Sequence, residues 1–225
     1  WSSGNVIKGT DTDQVDNKYY WTQLGDDIDG EAQGDNSGRS VSLSSDGTIV
    51  AIGADNNDGD VSNSNSGHVR IYQWRLFTSE DIVSEYNYED RTRDDTNNTN
   101  PIIITTYDNG AWLQPESGYY YWTQLGQDID GEAANDFSGW SVSLSSDGTI
   151  VAIGAPSNDG NGTDSGHVRI YQYSSDGNQW TKIGGDIDGE SDGDTSGRSV
   201  SLSSDGTIVS IGATGNGSNY GHVRV

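Results

Sequence analysis

The sequence predicts an all-β protein of tandem four-stranded antiparallel sheets, and three observations carry this prediction. A block of fifteen residues, SVSLSSDGTIVAIGA, occupies 40–54 and returns unchanged at 141–155. It returns again at 199–213 with one substitution, Ser210 in place of alanine. Strand-like alternation runs through each copy, and no segment shows a helical period over a convincing length. Copies at this spacing indicate that each unit contributes the same small sheet.

Each repeat unit contains four short segments with strand character. The first is WTQLG or WTKIG, which begins at Trp21, Trp122 and Trp180. In SVSLS, valine and leucine alternate with serine, which predicts a strand with one buried face. TIVAIGA is almost entirely apolar, so we expect both of its faces to be covered. An Asp-Gly pair between these strands predicts a tight hairpin, and HVRIYQ supplies the last strand.

Units of this kind are typical of β-propeller blades, and an open β-solenoid or an array of stacked sheets is the alternative architecture. The insert between the first two units contains a β-branched run followed by an Asp-Asn-Gly turn, which predicts a protruding hairpin. The predicted segments are the tail of a preceding repeat or insert at 1–20, unit 1 at 21–73, the insert at 74–121, unit 2 at 122–173, and a linker with unit 3 at 174–225.

Composition excludes several classes of function. The 225 residues include 11 Lys and Arg against 35 Asp and Glu, a formal net charge of −24, so a nucleic-acid backbone would be repelled. No apolar run has the length of a membrane span, so no membrane insertion is expected in this segment. Without cysteine, neither a disulfide framework nor a thiolate metal site can form. The acidic balance instead favours cations, calcium in particular, or simply keeps the protein soluble.

Unit 2 resembles a known family. The segment Phe137–Leu144 (FSGWSVSL), followed by Ile153–Pro156 (IGAP), is similar to the FG-GAP repeat of integrin α-chain propellers and related surface proteins. Units 1 and 3 keep only the Gly-Ala part of that ending. The resemblance implies propeller blades, a secreted or cell-surface location and a binding role. It carries over no calcium ligand to the hairpin, because SSDG stands where the family commonly has Asp-x-Asn-x-Asp-Gly.

The acidic DIDGE stretches are candidate calcium sites. In an extended strand, the three carboxylates of one stretch point to the same face, and oxygen ligands suit Ca²⁺. The candidate ligands are Asp27, Asp29, Glu31, Asp128, Asp130, Glu132, Asp186, Asp188 and Glu190. A solvated acidic turn is the alternative interpretation. The arginines of the GHVR strands, such as Arg70, are the expected internal partners of these charges.

Two further sets of residues are candidate sites for glycan contact or glycosylation. Trp140 replaces an arginine that units 1 and 3 have at positions 39 and 198, and an exposed indole there could stack on a sugar ring. A variant of the packing is the alternative reading of Trp140. The candidate glycosylation sites are the sequon residues Asn97, Asn161 and Asn216.

No catalytic residue is predicted, and we expect that the protein is not an enzyme. The histidines of the GHVR strands occupy one repeat position and are expected to be structural; they are His68, His167 and His222. Residues copied in every unit belong by default to the scaffold, because catalysis needs a single asymmetric site.

The predicted function is an adhesion or structural repeat protein that is secreted or on the cell surface. Both ends of the sequence fall at nearly the same phase of the repeat, and three blades are too few to close a ring. We therefore expect open strand edges to pair with further copies of the chain or with further repeats of a longer chain. A head-to-tail contact of this kind, if it does not close, builds a filament. The alternative is a carbohydrate-binding, lectin-like propeller module, with glycans or surface proteins as partners.

Overall fold

The computed structural model describes residues 23–59, 65–76, 120–216 and 220–225, and strands in these ranges form three antiparallel sheets. Sheet 1 contains β1 (Ser40–Leu43), β2 (Ile49–Ala54), β3 (His68–Leu76), β4 (Tyr120–Gln124) and β5 (Ile129–Asp130). Sheet 2 contains β6 (Ser141–Leu144), β7 (Ile150–Ala155), β8 (His167–Ser174) and β9 (Gln179–Asp188). Sheet 3 contains β10 (Ser196–Leu202), β11 (Val209–Ala213) and β12 (His222–Arg224). The predicted all-β class with tandem antiparallel sheets is confirmed.

Some predicted features lie outside the described residues. These are the tail at 1–20, the insert over 77–119 and the sequon residue Asn97. The part of the chain that the structure describes includes no helix with the length and apolar character of a membrane span.

The chain divides into two compact units. The first comprises Trp1–Ile28 and Trp74–Thr123, and the second comprises Asp29–Gln73 and Gln124–Val225. In the first unit, the Trp74 ring packs against the rings of Tyr120 and Trp122, with centroids 6.0 and 5.3 Å apart. The Trp122 indole N–H donates to the Leu24 carbonyl at 2.9 Å. The second unit contains the interfaces between sheets and the candidate site.

The Asp-Gly hairpin is stabilised by its own side chains. In sheet 1, Asp46 Oδ1 accepts hydrogen bonds from the hydroxyls of Ser44 and Thr48 at 2.7 and 2.8 Å. It also accepts the Thr48 backbone N–H at 3.0 Å. Gly47 has a φ of 73°, a conformation that strains other residues. The predicted tight turn is confirmed.

The strand that opens one repeat unit completes the sheet of the unit before it. In sheet 1, Val69 of β3 pairs with Ile129 of β5, which belongs to the DIDGE stretch of unit 2. In sheet 2, Val168 of β8 pairs with Ile187 of β9, which belongs to the DIDGE stretch of unit 3. Sheet 3 has three strands among the described residues, and β12 is its edge. Each DIDGE stretch of units 2 and 3 therefore joins two consecutive sheets.

Neighbouring sheets bury apolar side chains between them. One cluster includes Ile49, Ala51, Val69 and Ile71 of sheet 1 with Val142, Leu144, Val151 and Ile153 of sheet 2. A second cluster includes Ala152, Val168 and Ile170 of sheet 2 with Val200, Leu202, Val209 and Ile211 of sheet 3. Strand β7 contributes to both clusters, so the prediction that TIVAIGA is covered on both faces is confirmed for this copy.

The serines of SVSLS connect each sheet to the next. Ser40 Oγ donates to the Gly139 carbonyl at 2.7 Å, and Ser141 Oγ, at the same repeat position, donates to the Gly197 carbonyl at 2.7 Å. The two bonds are copies of each other because both partners recur in each unit. Exact copying of the hairpin therefore reproduces one interface twice.

Candidate functional site

The DIDGE stretches lie at the junctions between sheets, where buried arginines hold their backbone. Arg70 Nη2 donates to the Asp29 carbonyl and Arg169 Nη2 to the Asp130 carbonyl, both at 2.7 Å. The two arginines are 3% and 4% exposed. A guanidinium this deeply desolvated needs compensating hydrogen bonds and an anionic partner.

Glutamates of the same stretches supply those anionic partners. Arg169 Nη1 lies 3.1 Å from Glu132 Oε1, and Arg70 Nη1 lies 3.6 Å from Glu31 Oε1. The predicted pairing of GHVR arginines with DIDGE acids is therefore present at both junctions. The Glu31 pair is the longer of the two, so its carboxylate is held less firmly by its arginine.

Three potential metal ligands meet where sheet 1 receives its strand from unit 2, and we call Glu31, His68 and Asp128 the junction 1 cluster. One donor atom from each residue lies within 4.8 Å of the others. His68 Nδ1 is 3.7 Å from Glu31 Oε2. The cluster lines a cleft of about 300 Å³. Burial lowers the pKa of His68 below its usual value, so the imidazole is neutral at neutral pH and keeps a lone pair for a ligand.

The equivalent residues of the next junction form the junction 2 cluster, which consists of Glu132, His167 and Asp186. His167 is 1% exposed, and its Nε2 is buried without a hydrogen-bond partner. Burial lowers the pKa of His167 as well. Lys182 Nζ lies 2.8 Å from Asp186 Oδ1, so one carboxylate of this cluster already has a cation beside it.

The structure groups the predicted acids differently from the sequence analysis. The expected set was the three carboxylates of one stretch, whereas each observed cluster takes its glutamate from one unit and its aspartate from the next. The predicted ligands that belong to neither cluster are Asp27, Asp29, Asp130, Asp188 and Glu190. Sequence reasoning left His68 and His167 out of the ligand set. Recognising that a DIDGE stretch pairs with the GHVR strand of the preceding unit would have found them. Calcium binding by these stretches stays a prediction.

Two of the three equivalent ligands of a third junction are described, His222 and Glu190. His222 Nδ1 lies 3.8 Å from Glu190 Oε2, much as His68 Nδ1 lies 3.7 Å from Glu31 Oε2 at junction 1. The aspartate that completes clusters 1 and 2 comes from the following unit, at the repeat position of Asp27. The described residues around His222 provide no equivalent of that aspartate.

Trp140 packs against two arginines. The Arg39 guanidinium carbon lies 3.7 Å from the ring centroid, and that of Arg198 lies 4.8 Å from it. Arg39 and Arg198 occupy the same repeat position as Trp140, so cation–π contacts link this position in three consecutive units. Sugar stacking on Trp140 stays a prediction.

The two described sequon residues donate hydrogen bonds from their side chains. Asn161 is exposed, and its Nδ2 donates to the Gly189 carbonyl at 2.8 Å. Asn216 Nδ2 donates to the Asp194 carboxylate at 3.2 Å. Glycosylation of either residue stays a prediction.

Sheets of this topology, linked by a strand from each following unit, define the chain as a tandem β-repeat protein. Residues 129–171, which run from the DIDGE stretch of unit 2 into β8, match the family model of the FG-GAP repeat. The chain therefore contains an FG-GAP repeat, and the resemblance found in unit 2 is confirmed. FG-GAP repeats occur in extracellular and cell-surface proteins and are typically not enzymatic. No curated protein matches the chain significantly.

Proposed function

We propose that this chain is an adhesion or structural module, secreted or on the cell surface, that assembles end to end through its terminal sheets. One observation carries the proposal. The interface between consecutive sheets is repeated within the chain, and its two complementary halves are exposed on sheets 1 and 3. A second copy of the chain offers the matching half to each.

The first half is the outer face of β1. Val41 and Leu43 are 65% and 60% exposed, whereas Val142 and Leu144 in the same motif of β6 are 8% and 7% exposed. Val142 and Leu144 are buried because sheet 1 packs against them. A surface equivalent to that of sheet 1 would therefore cover Val41 and Leu43.

The second half is the outer face of sheet 3. Ile208 and Val223 are 56% and 68% exposed, whereas Ile49 and Val69 at the same repeat positions in sheet 1 are 8% and 0% exposed. Strand β12 also presents the edge that β5 and β9 fill on sheets 1 and 2. Ile28 of the first DIDGE stretch is the residue of a second copy that would pair beside Val223.

The energetics make the assembly dependent on concentration. Burial of each of these apolar side chains contributes about 1.5–3 kcal/mol at most. Association costs roughly 4–15 kcal/mol in lost translational and rotational freedom. The apolar contacts and the cost of association are of similar size, so the degree of assembly should change over the range that sedimentation can measure.

Sedimentation velocity over a concentration series tests the proposal. The wild-type chain is expected to form species that lengthen with concentration. Leu43→Asp and Val223→Asp each place a charge in one half of the interface and should each leave a monomer. A mixture of the two variants should form dimers and nothing longer, because each variant retains one intact half.

The control is Thr181→Asp, which adds the same charge at an exposed position of β9 and should assemble as wild type does. A wild-type chain that stays monomeric at every concentration overturns the proposal. So does assembly that persists in both interface variants.

A lectin-like module is the second candidate function, and the uniqueness of Trp140 favours it. Trp140 alone breaks the arginine pattern of positions 39 and 198, and Trp140→Arg restores that pattern while it removes the indole and its contacts with Arg39 and Arg198. If the module binds glycans through the indole, this variant loses binding on a glycan array at a temperature where circular dichroism shows that it is folded. Binding that survives in Trp140→Arg excludes the indole as the contact.

A further inference from the structure

We propose that the junction 1 and junction 2 clusters are sites for a divalent transition-metal ion such as Zn²⁺, and that junction 1 binds the ion more tightly. The ligands are Glu31, His68 and Asp128 at junction 1 and Glu132, His167 and Asp186 at junction 2. This inference does not depend on the proposed assembly, because each cluster is complete within one chain.

The geometry of the clusters is close to that of a bound ion. Ligand atoms around tetrahedral zinc are separated by about 3.3–3.6 Å, given metal–ligand distances of about 2.0–2.2 Å. The donor atoms of each cluster already lie within 4.8 Å of one another, and His68 Nδ1 is 3.7 Å from Glu31 Oε2. The Glu31 side chain is 44% exposed, so it can move the remaining distance at little cost.

The buried imidazoles are an independent sign of a ligand. His167 has a ring nitrogen, Nε2, that is buried without a hydrogen-bond partner, and one nitrogen of the same ring lies within 4.8 Å of a carboxylate oxygen of Glu132 and of Asp186. An unsatisfied buried polar group destabilises the folded state. His68 is 2% exposed, and its Nδ1 is beyond hydrogen-bond distance of Glu31. A metal ion would give each ring a strong partner.

The chemistry of the donors favours a transition metal over calcium. Ca²⁺ takes six to eight oxygen ligands, whereas each cluster offers one imidazole nitrogen with two carboxylates. Imidazole nitrogen combined with carboxylate oxygen suits zinc and similar ions. Three protein ligands also leave one position for water, and the cleft of about 300 Å³ at junction 1 provides the space.

One residue distinguishes the two junctions. Lys182 Nζ is 2.8 Å from Asp186 at junction 2, whereas Gln124, at the same repeat position, donates a neutral amide hydrogen bond to Asp128. The ammonium of Lys182 competes with a metal ion for the aspartate, and the amide of Gln124 competes far less. This difference favours binding at junction 1.

Isothermal titration of the full chain with ZnCl₂ tests the proposal, with matched exchanges at the distinguishing position. Gln124→Lys should weaken the tighter site at least tenfold, and Lys182→Gln should strengthen the weaker site at least threefold. Asp128→Asn, which keeps the shape of the side chain, should remove the tighter site. CaCl₂ should bind at least tenfold more weakly than ZnCl₂ in the wild-type chain.

Two controls separate a site from general attraction of cations to an acidic protein. Asp176→Asn removes an exposed acid outside both clusters and should bind zinc as wild type does. In NMR spectra, zinc should shift the His68 ring resonances of wild type and not those of Asp128→Asn. Identical zinc affinity in wild type, Gln124→Lys and Asp128→Asn overturns the proposal, as does calcium binding equal to that of zinc.

Discussion

Strands β1 and β6 have the same sequence, SVSL, but opposite exposure. Val142 and Leu144 of β6 are nearly buried, whereas Val41 and Leu43 of β1 are mostly exposed. Because the hairpins that contain them are identical over fifteen residues, local sequence cannot cause the difference. Sheet 1 covers β6, and the described residues provide no equivalent cover for β1. Burial in this fold is therefore a property of the neighbouring sheet, as expected of an array stabilised by contacts between adjacent repeats.

The one substitution in the repeated block also falls where exposure differs between the sheets. Ala51 and Ala152 are both 0% exposed. Ser210 stands at the same repeat position on sheet 3, where it is partly exposed and donates a long hydrogen bond of 3.5 Å to the Ser201 carbonyl. Alanine is thus present where a neighbouring sheet packs closely, and a hydroxyl is present where the face is more open.

The largest expected effect comes from a charge at this position. Ala152→Asp places a carboxylate between sheets 2 and 3, at a position that is 0% exposed, and should destabilise the fold by more than about 3 kcal/mol or prevent folding. Ser210→Asp should change the free energy of unfolding by less than about 1 kcal/mol, because the site is partly open to solvent. Urea unfolding measured by tryptophan fluorescence compares the two. Equal destabilisation would show that sheet 3 is covered as fully as sheet 2.

A smaller effect is expected from shortening the equivalent leucines. Leu144→Ala leaves a cavity between sheets 1 and 2 and should cost about 2–4 kcal/mol of unfolding free energy. Leu43→Ala removes a side chain that is already 60% exposed and should cost less than about 1 kcal/mol. Both are measured at concentrations where sedimentation shows a monomer, so that assembly does not protect Leu43. If Leu43→Ala lowered the free energy of unfolding as much as Leu144→Ala, this would contradict the conclusion that burial depends on the neighbouring sheet.

The sequence predicts those parts of the fold that depend on interactions between adjacent residues. The Asp46–Gly47 turn is encoded by a few adjacent residues, and the apolar character of TIVAIGA anticipates its covered faces. The strand that pairs with a DIDGE stretch is determined by packing between units. The alternating pattern of Asp128–Glu132 does not by itself indicate that this stretch pairs with β3. The candidate site could not be predicted fully from the sequence for the same reason. Glu31 and Asp128 come from different units, so their proximity depends on the strand pairing that a single repeat does not encode.

The smallest expected effect concerns the side-chain hydrogen bonds within the Asp-Gly turn. In sheet 3, Asp205 accepts hydrogen bonds from the Ser203 hydroxyl and from the amide and hydroxyl of Thr207. These bonds lower the pKa of Asp205 from 3.8 to about 2. Because the folded pKa is the lower one, the carboxylate stabilises the fold above about pH 4, and this contribution is lost as the pH falls towards 2. Ser203→Ala should raise the pKa of Asp205 towards 3.8 in a carbon-13 NMR titration, whereas Ser204→Ala should not. An unchanged pKa in Ser203→Ala would mean that the turn hydrogen bonds do not hold the charge. The Asp147 turn of sheet 2 has the same bonds, and the pKa of Asp147 should respond to Ser145→Ala in the same direction, since the donors to this carboxylate belong to the turn itself.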